Sequence, residues 1–427
     1  MNTRKIFMML FACLSVLMAG AQIKGDEITV LVSPDHTDWT YKLKEKCTFT
    51  IRVLRAQNAI EDVVIDYELG PEWYPTTKKE GVALKNGKLT VSGTMAVPGF
   101  LRCKVKAHVK GRSYEGLATA AYDPQSIKPC AVMPGDFESF WKNCIAQARQ
   151  TALEPHLELL PERCTDRVNV YHVSFQNVRY ASRTYGILCV PKAPGKYPAL
   201  LRVPGAGVRP YTGDPWTAAA GVITLEVGIH GVPVTMPQQV YDDLSNGALY
   251  GYPYINDNSR EQSYYNRVFL GVVRAIDFLC SLPEYNGKAL GVTGSSQGGA
   301  LSIVSAALDS RVTFYAAIHP AMCDHRAHLQ NRAGGWPHFF KYFPNPDEKR
   351  LQTADYYDMV NFARLIKVPG WFSWGFNDEV CPPTSLYAAY NTVTAPKELH
   401  PYIQTGHYFY NEQNDEWNAW LKKQLGL

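Results

Sequence analysis

The sequence predicts two folded domains, a smaller all-β domain followed by a larger domain in which helices flank a mostly parallel sheet. With 427 residues, the chain is longer than a single compact core usually requires. Its first part contains only short strands separated by turn residues, whereas later segments alternate between apolar strands and helical periodicity. A hydrophobic fraction of 46% and a charged fraction of 19% are typical of globular domains and argue against a disordered or fibrous chain.

The amino terminus has the composition of a secretory signal peptide. Arg4 and Lys5 precede an apolar run over residues 6–18, and the small residues 19–21 offer a cleavage site. The sequence therefore predicts that residues 1–21 are removed and that the protein is secreted or periplasmic. We expect no membrane span, because no later stretch reaches about 18 apolar residues. We also expect no lipid anchor, since cleavage before Cys13 would leave too short an apolar segment.

Residues 26–122 predict an all-β domain. Several short segments alternate apolar and polar residues, as a strand with one buried face does, and Asn86-Gly87 is a hairpin signal between two of them. About seven such strands in roughly a hundred residues are typical of an immunoglobulin-like β-sandwich. Because an exported protein can form disulfides, Cys47 and Cys103 are the best candidates for a pair. Two buried free thiols are the alternative.

Residues 123–135 are rich in turn formers and predict a linker, which leaves residues 136–427 for the second domain. The first two strands of this domain predict an antiparallel pair, and several later strands are nearly continuous apolar runs, as in parallel strands covered on both faces. Helical periodicity separates two of the later strands. The predicted strands are 168–175, 185–190, 199–203, 222–227, 289–293, 313–318, 368–373 and 399–404, and the main predicted helices are 264–282 and 417–425.

The pentapeptide at 294–298, Gly-Ser-Ser-Gln-Gly, matches the Gly-x-Ser-x-Gly pattern of a nucleophile elbow. It lies between the predicted strand 289–293 and a segment of small residues that predicts a helix. A strand that turns directly into a helix strains its central residue, and side chains two positions to either side would collide, so glycines are required there. The sequence therefore predicts an α/β-hydrolase fold with Ser296 as nucleophile. A structural turn such as a phosphate-binding loop is the alternative.

A serine hydroxyl becomes an effective nucleophile when a histidine can accept its proton. In an α/β-hydrolase the acid and then the histidine follow the serine along the chain. We predict His407 as the base, because it directly follows the last predicted strand, whereas His400 lies at the start of that strand. Asp378 comes after the strand 368–373 and is the predicted acid that orients the imidazole, with Glu379 as its nearest rival.

The tetrahedral intermediate of acyl transfer requires N–H donors for its oxyanion. The first predicted donor is the backbone N–H of Gln297, which lies at the positive end of the helix that follows Ser296. The second is expected from the glycine-rich loop 203–207, with Ala206 as the first candidate and Gly207 as the second. The cysteine spacing shows no metal-binding pattern, and we expect neither a metal nor a cofactor.

Several strings of this sequence resemble one family. They are Tyr-Tyr-Asn-Arg-Val-Phe-Leu at 264–270, the elbow itself, Asp-Glu-Val-Cys-Pro-Pro-Thr at 378–384, Tyr-Ala-Ala-Tyr-Asn at 387–391 and Gly-His at 406–407. Over about residues 134–427 the chain resembles the acetyl xylan esterase / cephalosporin-C deacetylase family of carbohydrate esterases. The resemblance implies metal-free hydrolysis of O-acetyl esters on xylan-derived or other short saccharides through an acetyl-enzyme. It also implies that Ser296, Asp378 and His407 form the catalytic triad.

An acetylated oligo- or polysaccharide is thus the expected partner. No nucleic-acid partner is expected, since the net charge is only +4 and the basic residues are scattered. The sequence leaves the oligomeric state open. It also leaves open a serine peptidase or a feruloyl- or glucuronoyl-type esterase of the same fold and, in another class, a non-catalytic carbohydrate-binding protein. Five side chains are candidates to shape a substrate cleft, with core packing as the alternative for each: Tyr252, Tyr254, His319, Trp336 and Trp374.

Overall fold

The computed structural model describes residues 28–427, which form two compact units, the first ending at Asp123 and the second spanning Pro124–Leu427. The predicted signal peptide, residues 1–21, lies outside the described residues. In the part of the chain that is described, no helix combines the length and the apolar character that crossing a membrane requires.

The first unit is built from β-strands. Between residues 28 and 123 these are β1 (Ile28–Pro34), β2 (Thr40–Tyr41), β3 (Cys47–Arg55), β4 (Asn58–Ala59), β5 (Val64–Pro71), β6 (Thr77–Ala83), β7 (Lys88–Gly93), β8 (Gly99–Val109) and β9 (Arg112–Tyr122). One sheet has the order β1-β3-β4 with β7 also paired to β3, and the other has the order β2-β9-β8-β5-β6. Alternate residues of β3 are buried, which is the period of a strand with one face on a core. An immunoglobulin-like topology stays a prediction.

Cys47 in β3 and Cys103 in β8 are buried free thiols. The disulfide suggested by the sequence is therefore not formed, and the alternative, two thiols packed as small apolar side chains, describes them. Burial raises the pKa of each thiol to about 12, because a buried thiolate would lose its hydration.

The second unit contains a nine-stranded sheet and several helices. Its strands are β10 (His156–Leu159), β11 (Val168–Gln176), β12 (Arg183–Pro191), β13 (Tyr197–Arg202), β14 (Ile223–Gly228), β15 (Tyr285–Ser295), β16 (Phe314–Ile318), β17 (Gly370–Trp374) and β18 (Lys397–Pro401). Its α-helices are α1 (Phe137–Arg149), α2 (Pro215–Ala219), α3 (Gln238–Asn246), α4 (Tyr264–Ser281), α5 (Gln297–Leu308), α6 (Phe339–Tyr342), α7 (Glu348–Tyr356), α8 (Met359–Ala363), α9 (Pro383–Tyr390) and α10 (Asn411–Leu425).

The order of strands in this sheet is β10-β11-β12-β14-β13-β15-β16-β17-β18. The pairs from β10–β11 to β12–β14 are antiparallel, and all pairs from β14–β13 to β17–β18 are parallel. This confirms the predicted antiparallel opening and the mostly parallel sheet. The chain passes from β13 to β14 on one side and then to β15 on the other side of β13. The carboxyl ends of β13 and β15 therefore flank a topological switch point, where open α/β sheets bind their ligands.

Two predicted elements near the carboxyl terminus have different bounds in the structure. The last strand ends at Pro401 rather than at residue 404, because the next residues form a turn in which the Thr405 N–H bonds to the carbonyl of Tyr402. The last helix begins at Asn411 rather than at residue 417, since its first turn is polar and lacks apolar periodicity. Both differences affect the loop that contains His407.

Most of the segment predicted as a linker is bound to the second unit. The Asp324 carboxylate accepts hydrogen bonds from the backbone N–H groups of Cys130 and Ala131, at 2.7 and 2.8 Å. The Asn391 side chain donates to the carbonyl of Pro124 at 3.0 Å. These contacts lie within the unit that begins at Pro124, so this segment lines the larger domain instead of spanning open solvent.

Candidate active site

Ser296 lies at the sharp turn between β15 and α5. Its backbone has φ 61° and ψ −122°, a conformation that L-residues rarely adopt and that a nucleophile elbow imposes. The Ser296 N–H donates to the Ile318 carbonyl at 3.0 Å, and the Ser296 carbonyl accepts from the Ala321 N–H at 2.9 Å. The strained residue is therefore held by the end of β16 as well as by the turn itself.

Close backbone packing requires the two glycines of the elbow, as the sequence predicts. A Cβ at Gly294 would lie 2.5 Å from the Val203 carbonyl oxygen and 2.7 Å from the carbonyl carbon of Gly298. A Cβ at Gly298 would lie 2.3 Å from the same oxygen of Val203. Real Cβ atoms essentially never approach other atoms to less than 3.0 Å. The elbow thus packs directly on the backbone at the start of the loop that follows β13.

The structure brings Ser296, His407 and Asp378 together. His407 Nε2 lies 2.9 Å from Ser296 Oγ, and His407 Nδ1 lies 2.7 Å from Asp378 Oδ2. Asp378 is fully buried, and its Oδ1 accepts from the backbone N–H groups of Val380 and Cys381, both at 2.8 Å. Because an ionised carboxylate can only accept, His407 Nδ1 carries the proton and Nε2 faces the serine as an acceptor. This arrangement can transfer a proton from the serine hydroxyl to the imidazole.

His319 lies directly beside the candidate base. It follows β16, and its ring centroid is 4.4 Å from that of His407. Its Nε2 is 2.7 Å from Ser295 Oγ, and only 2% of the residue is exposed. Burial and then the neighbouring imidazole of His407 lower the pKa of His319 to about 3, so this ring stays neutral near neutral pH. His319 therefore packs behind the base and does not line an open cleft, which corrects the sequence-based expectation.

The predicted oxyanion donors lie near the elbow. Gln297 is the first residue of α5, so its backbone N–H is one of the four donors that a helix start leaves without a partner in the helix. Ala206 and Gly207 lie in the loop after β13. Within residues 28–427 the Ala206 N–H donates to no other protein group and is therefore available to a bound oxyanion, whereas the Gly207 N–H is directed at the Tyr252 hydroxyl.

The side chain of Gln297 was not among the predicted site features, yet it is fully buried beneath the elbow. Its Oε1 accepts from the hydroxyls of Tyr252, at 2.7 Å, and Tyr265, at 3.0 Å. Its Nε2 donates to the Pro204 carbonyl at 3.3 Å. Tyr252, a predicted cleft residue, thus fixes the elbow helix from below instead of presenting its hydroxyl to a ligand. The only sequence signal for this network was the tyrosine pair in the helix string at 264–270.

The other predicted cleft residues divide between core and partly open positions. Trp374 is fully buried and packs edge-on against Tyr387, with ring centroids 5.1 Å apart. It belongs to the core, which corrects its assignment to the cleft. Tyr254 and Trp336 are half-buried, and the Trp336 ring lies 6.5 Å from that of Tyr252. Of the five candidates, these two keep surface that a ligand can reach.

A single set of three potential metal ligands lies close together in the described part of the chain. It consists of His319, Asp378 and His407, whose donor atoms lie within 4.8 Å of one another. The Asp378 carboxylate is already bonded to the His407 ring and to two backbone N–H groups. A metal ion would have to break the bond between acid and imidazole, so this geometry suits proton transfer better than metal binding.

Residues 122–424 match the acetyl xylan esterase (AXE1) family. The chain is also 38% identical to the acetyl esterase Axe7A of Xylanibacter ruminicola over 402 residues, which cover 92% of this chain and 90% of that protein. The resemblance stated from the sequence motifs is therefore confirmed.

Two solved structures are similar to the larger part of the chain. The acetyl xylan esterase from Paenibacillus sp. R4 is 26% identical, with a TM-score of 0.61, and the match covers 70% of this chain and 98% of that one. Acetyl xylan esterase 1 from Thermoanaerobacterium sp. JW/SL YS485 is 23% identical, with a TM-score of 0.59, and the match covers 70% of this chain and 97% of that one. At that identity the second likeness supports the fold alone.

Proposed function

The chain belongs to the acetyl xylan esterase family, and we propose that it is a secreted serine esterase that removes O-acetyl groups from xylan-derived or other short acetylated saccharides. Family membership and the similarity to an acetyl esterase support carboxylic-ester hydrolysis. The observation that supports the serine mechanism is the unbroken hydrogen-bond chain from Asp378 through His407 to Ser296.

In the first step, Ser296 Oγ attacks the ester carbonyl carbon while His407 Nε2 takes the hydroxyl proton. Asp378 holds the ring in the required tautomer and stabilises the imidazolium that forms. The N–H groups of Gln297 and Ala206 donate hydrogen bonds to the carbonyl oxygen and stabilise the negative charge that develops there. The bond to the sugar oxygen then breaks, and the imidazolium returns its proton to that oxygen as the saccharide leaves.

In the second step, water attacks the acetyl-enzyme. His407 Nε2 takes a proton from the water, the same N–H groups stabilise the second tetrahedral intermediate, and acetate leaves as the proton returns to Ser296 Oγ. These steps use only groups of this chain and water, and they require neither a metal nor a cofactor.

Replacing Ser296 by alanine tests the mechanism. Ser296→Ala should abolish acetate release from acetylated xylo-oligosaccharides and from p-nitrophenyl acetate, whereas Ser310→Ala, an exposed serine of the same unit, should keep wild-type turnover. A fluorophosphonate probe should label the peptide that contains Ser296 in the wild type and in Ser310→Ala but not in Ser296→Ala. Retained turnover in Ser296→Ala would remove this residue from the mechanism.

The acyl group and the leaving group need a separate test. Values of kcat/KM compared among acetyl, butyryl and feruloyl esters, a glucuronoyl ester and a peptide anilide should be highest for the acetyl ester. A preference for the peptide anilide would favour a peptidase, and a preference for an aromatic or uronic ester would favour another esterase of this fold. The 38% identical relative, named as an acetyl esterase, supports the acetyl group.

We further propose export and an immunoglobulin-like fold for the first domain. Sequencing of the mature amino terminus should begin at Gln22 if the signal peptide is cleaved as proposed. Strands β1, β3 and β7 share one sheet, and β5, β8 and β9 share the other. When the two-residue strands β2 and β4 are left out, β1, β3 and β7 are the first, second and fifth strands. In an immunoglobulin-like sandwich these three strands belong to one sheet, which supports this fold.

A further inference from the structure

We propose that Arg209 is a positioning residue, which aligns the two candidate loop donors of the oxyanion hole by binding the carbonyls on the reverse side of their peptide groups. Because this rests on the proposed acyl transfer at Ser296, it deepens that mechanism. Arg209 was not among the predicted site residues, and it has no contact with the triad among the hydrogen bonds and ion pairs of residues 28–427.

The Arg209 guanidinium holds two successive carbonyls of the loop. Nη1 donates to the Ala206 carbonyl at 2.8 Å, and Nη2 donates to the Gly205 carbonyl at 3.3 Å. The side chain is exposed, and within the described residues it forms no ion pair; its guanidinium otherwise lies 5.7 Å from the ring centroid of Tyr211. Its positive charge is therefore directed at these two carbonyls and not neutralised by an acid.

Because a peptide group is planar and rigid, a contact that fixes its carbonyl also fixes the direction of its N–H. The Gly205 carbonyl and the Ala206 N–H belong to one peptide group, and the Ala206 carbonyl and the Gly207 N–H belong to the next. Both peptides are trans, so in each rigid plane the C=O and the N–H point in opposite directions. Fixing both oxygens on the guanidinium therefore turns both N–H groups to the opposite face of the loop. The Ala206 N–H is the first candidate for the second oxyanion donor, and the Gly207 N–H, which is also directed at the Tyr252 hydroxyl, is the second candidate.

The loop backbone fits closely around this side chain. Gly207 has a φ of 122°, and a Cβ at this position would lie 2.9 Å from Arg209 Nη1. Any larger residue would strain the backbone and push the guanidinium from its position. Gly205 lies on the elbow side, since a Cβ there would be 3.3 Å from the Ser295 carbonyl oxygen and 3.9 Å from Ser296 Cβ. The same short loop thus contacts both the guanidinium and the nucleophile turn.

Two other side chains hold two further carbonyls of the loop. Gln297 Nε2 donates to the Pro204 carbonyl at 3.3 Å, and His230 Nε2 lies 3.0 Å from the Gly207 carbonyl. Burial lowers the pKa of His230 to about 4, so this ring is a neutral partner near neutral pH. Arg209 alone brings a full charge, and a charge-assisted bond to a carbonyl polarises the N–H of the same peptide group. It therefore orients the two donors and also strengthens them.

The surroundings of Arg209 allow chemical rescue. A cavity of about 270 Å³ is lined by Arg209 together with Gly205, Glu226 and Ser295. In Arg209→Ala a free guanidinium ion can enter this open space and bind the same carbonyls. An exposed arginine with a purely structural effect would not respond in this way.

We expect Arg209→Ala to lower kcat for p-nitrophenyl acetate by about 10- to 100-fold, less than the roughly 100- to 1,000-fold loss from deleting a donor outright. KM should change little, because the donors act mainly in the transition state. Millimolar guanidinium chloride, well below denaturing concentrations, should restore part of kcat. Arg209→Lys should lie between the wild type and Arg209→Ala, since one ammonium group cannot match the fork of a guanidinium. Arg179→Ala is the control, an exposed arginine of the same unit, and should show neither the loss nor the rescue.

Wild-type kcat in Arg209→Ala, a change confined to KM, or a loss of kcat that guanidinium does not reduce would overturn the positioning role. These outcomes differ from failure of the proposed function. If Ser296→Ala kept its turnover, the acyl-enzyme mechanism itself would be wrong. If Ser296→Ala were inactive while Arg209→Ala kept wild-type kcat, the mechanism would stand and Arg209 alone would lose its role.

Discussion

Replacing Gly298 by alanine should lower kcat even though alanine is the better helix former. Gly298 is the second residue of α5, and on helix propensity alone alanine would add about 1 kcal/mol of stability over glycine. The added methyl carbon, however, would lie 2.3 Å from the Val203 carbonyl oxygen, where ordinary contacts begin at 3.4 Å. The backbone at Val203 must therefore retreat by ~1 Å, and the loop that contains Ala206 follows directly.

A displacement of that size is enough to misalign an oxyanion donor. Misplacing a catalytic group by ~1 Å costs about 100-fold in rate, which corresponds to about 2.7 kcal/mol of transition-state stabilisation. We therefore expect kcat for p-nitrophenyl acetate to fall by about 100-fold with little change in KM. The close contact should also lower the free energy of unfolding by about 1–3 kcal/mol, outweighing the gain in helix propensity.

Steady-state kinetics and urea denaturation of Gly298→Ala measure the two effects separately. Gly135→Ala is the matched control, because a Cβ on Gly135 meets no atom within 4 Å, and both its kcat and its stability should stay near those of the wild type. If Gly298→Ala kept wild-type kcat, or if it became more stable, the contact with Val203 would not be what fixes the loop.

Three further predictions concern the acid, the pH dependence of stability and the thiols. Asp378→Asn should lower kcat for p-nitrophenyl acetate by about 10⁴-fold, because an amide favours the wrong imidazole tautomer. Glu379→Gln should keep wild-type kcat. A large loss in Glu379→Gln with wild-type kcat in Asp378→Asn would make Glu379 the acid. Burial lowers the pKa of His319 from 6.5 to about 3, so below about pH 6.5 this ring binds a proton only in the unfolded chain. The free energy of unfolding should therefore fall as the pH is lowered toward 3, by ~1.4 kcal/mol per pH unit from this ring. Urea denaturation at several pH values should show a weaker pH dependence of this free energy in His319→Gln. The same pH dependence in the variant and the wild type would contradict a buried neutral ring. Iodoacetamide should not alkylate Cys47 and Cys103 in the native protein, because burial raises the pKa of both thiols to about 12, but it should alkylate both in urea without a reductant. Protection of both residues in urea would indicate that they form a disulfide.

The proximity of Ser296, Asp378 and His407 and the mostly parallel sheet could be predicted because each depends on a local pattern. The two glycines of the pentapeptide 294–298 indicate Ser296. Apolar runs predict the two strands after which Asp378 and His407 follow. The exact end of the last strand was wrong, because a turn closed by a hydrogen bond between Thr405 and Tyr402 has no distinctive sequence signal. The order of the residues along the chain nevertheless led to His407, the histidine that lies beside Ser296, since that order does not depend on where a strand stops.

The contacts that hold the loop after β13 could not be predicted in the same way. The Gln297 side chain and the Pro204 carbonyl are 93 positions apart, and His230 and Gly207 are 23 apart, with no periodicity to connect them. The same holds for the aromatic residues, because the sequence alone does not distinguish a tryptophan in the core from one in a cleft, as for Trp374 and Trp336. Only the tertiary structure shows that Trp374 is fully buried and Trp336 is not.

The loop after β13 is held from two sides, which predicts that defects on the two sides are not additive. Gly294 and Gly298 pack on the Val203 carbonyl at its start, whereas Arg209 holds the Gly205 and Ala206 carbonyls further along. If both act by positioning the same N–H groups, a loop already displaced by Gly298→Ala has little alignment left for Arg209→Ala to remove. The double variant should therefore lose about as much kcat as the more impaired single variant, as measured with p-nitrophenyl acetate. Losses that multiply would mean that the glycine and the arginine act on different parts of the transition state.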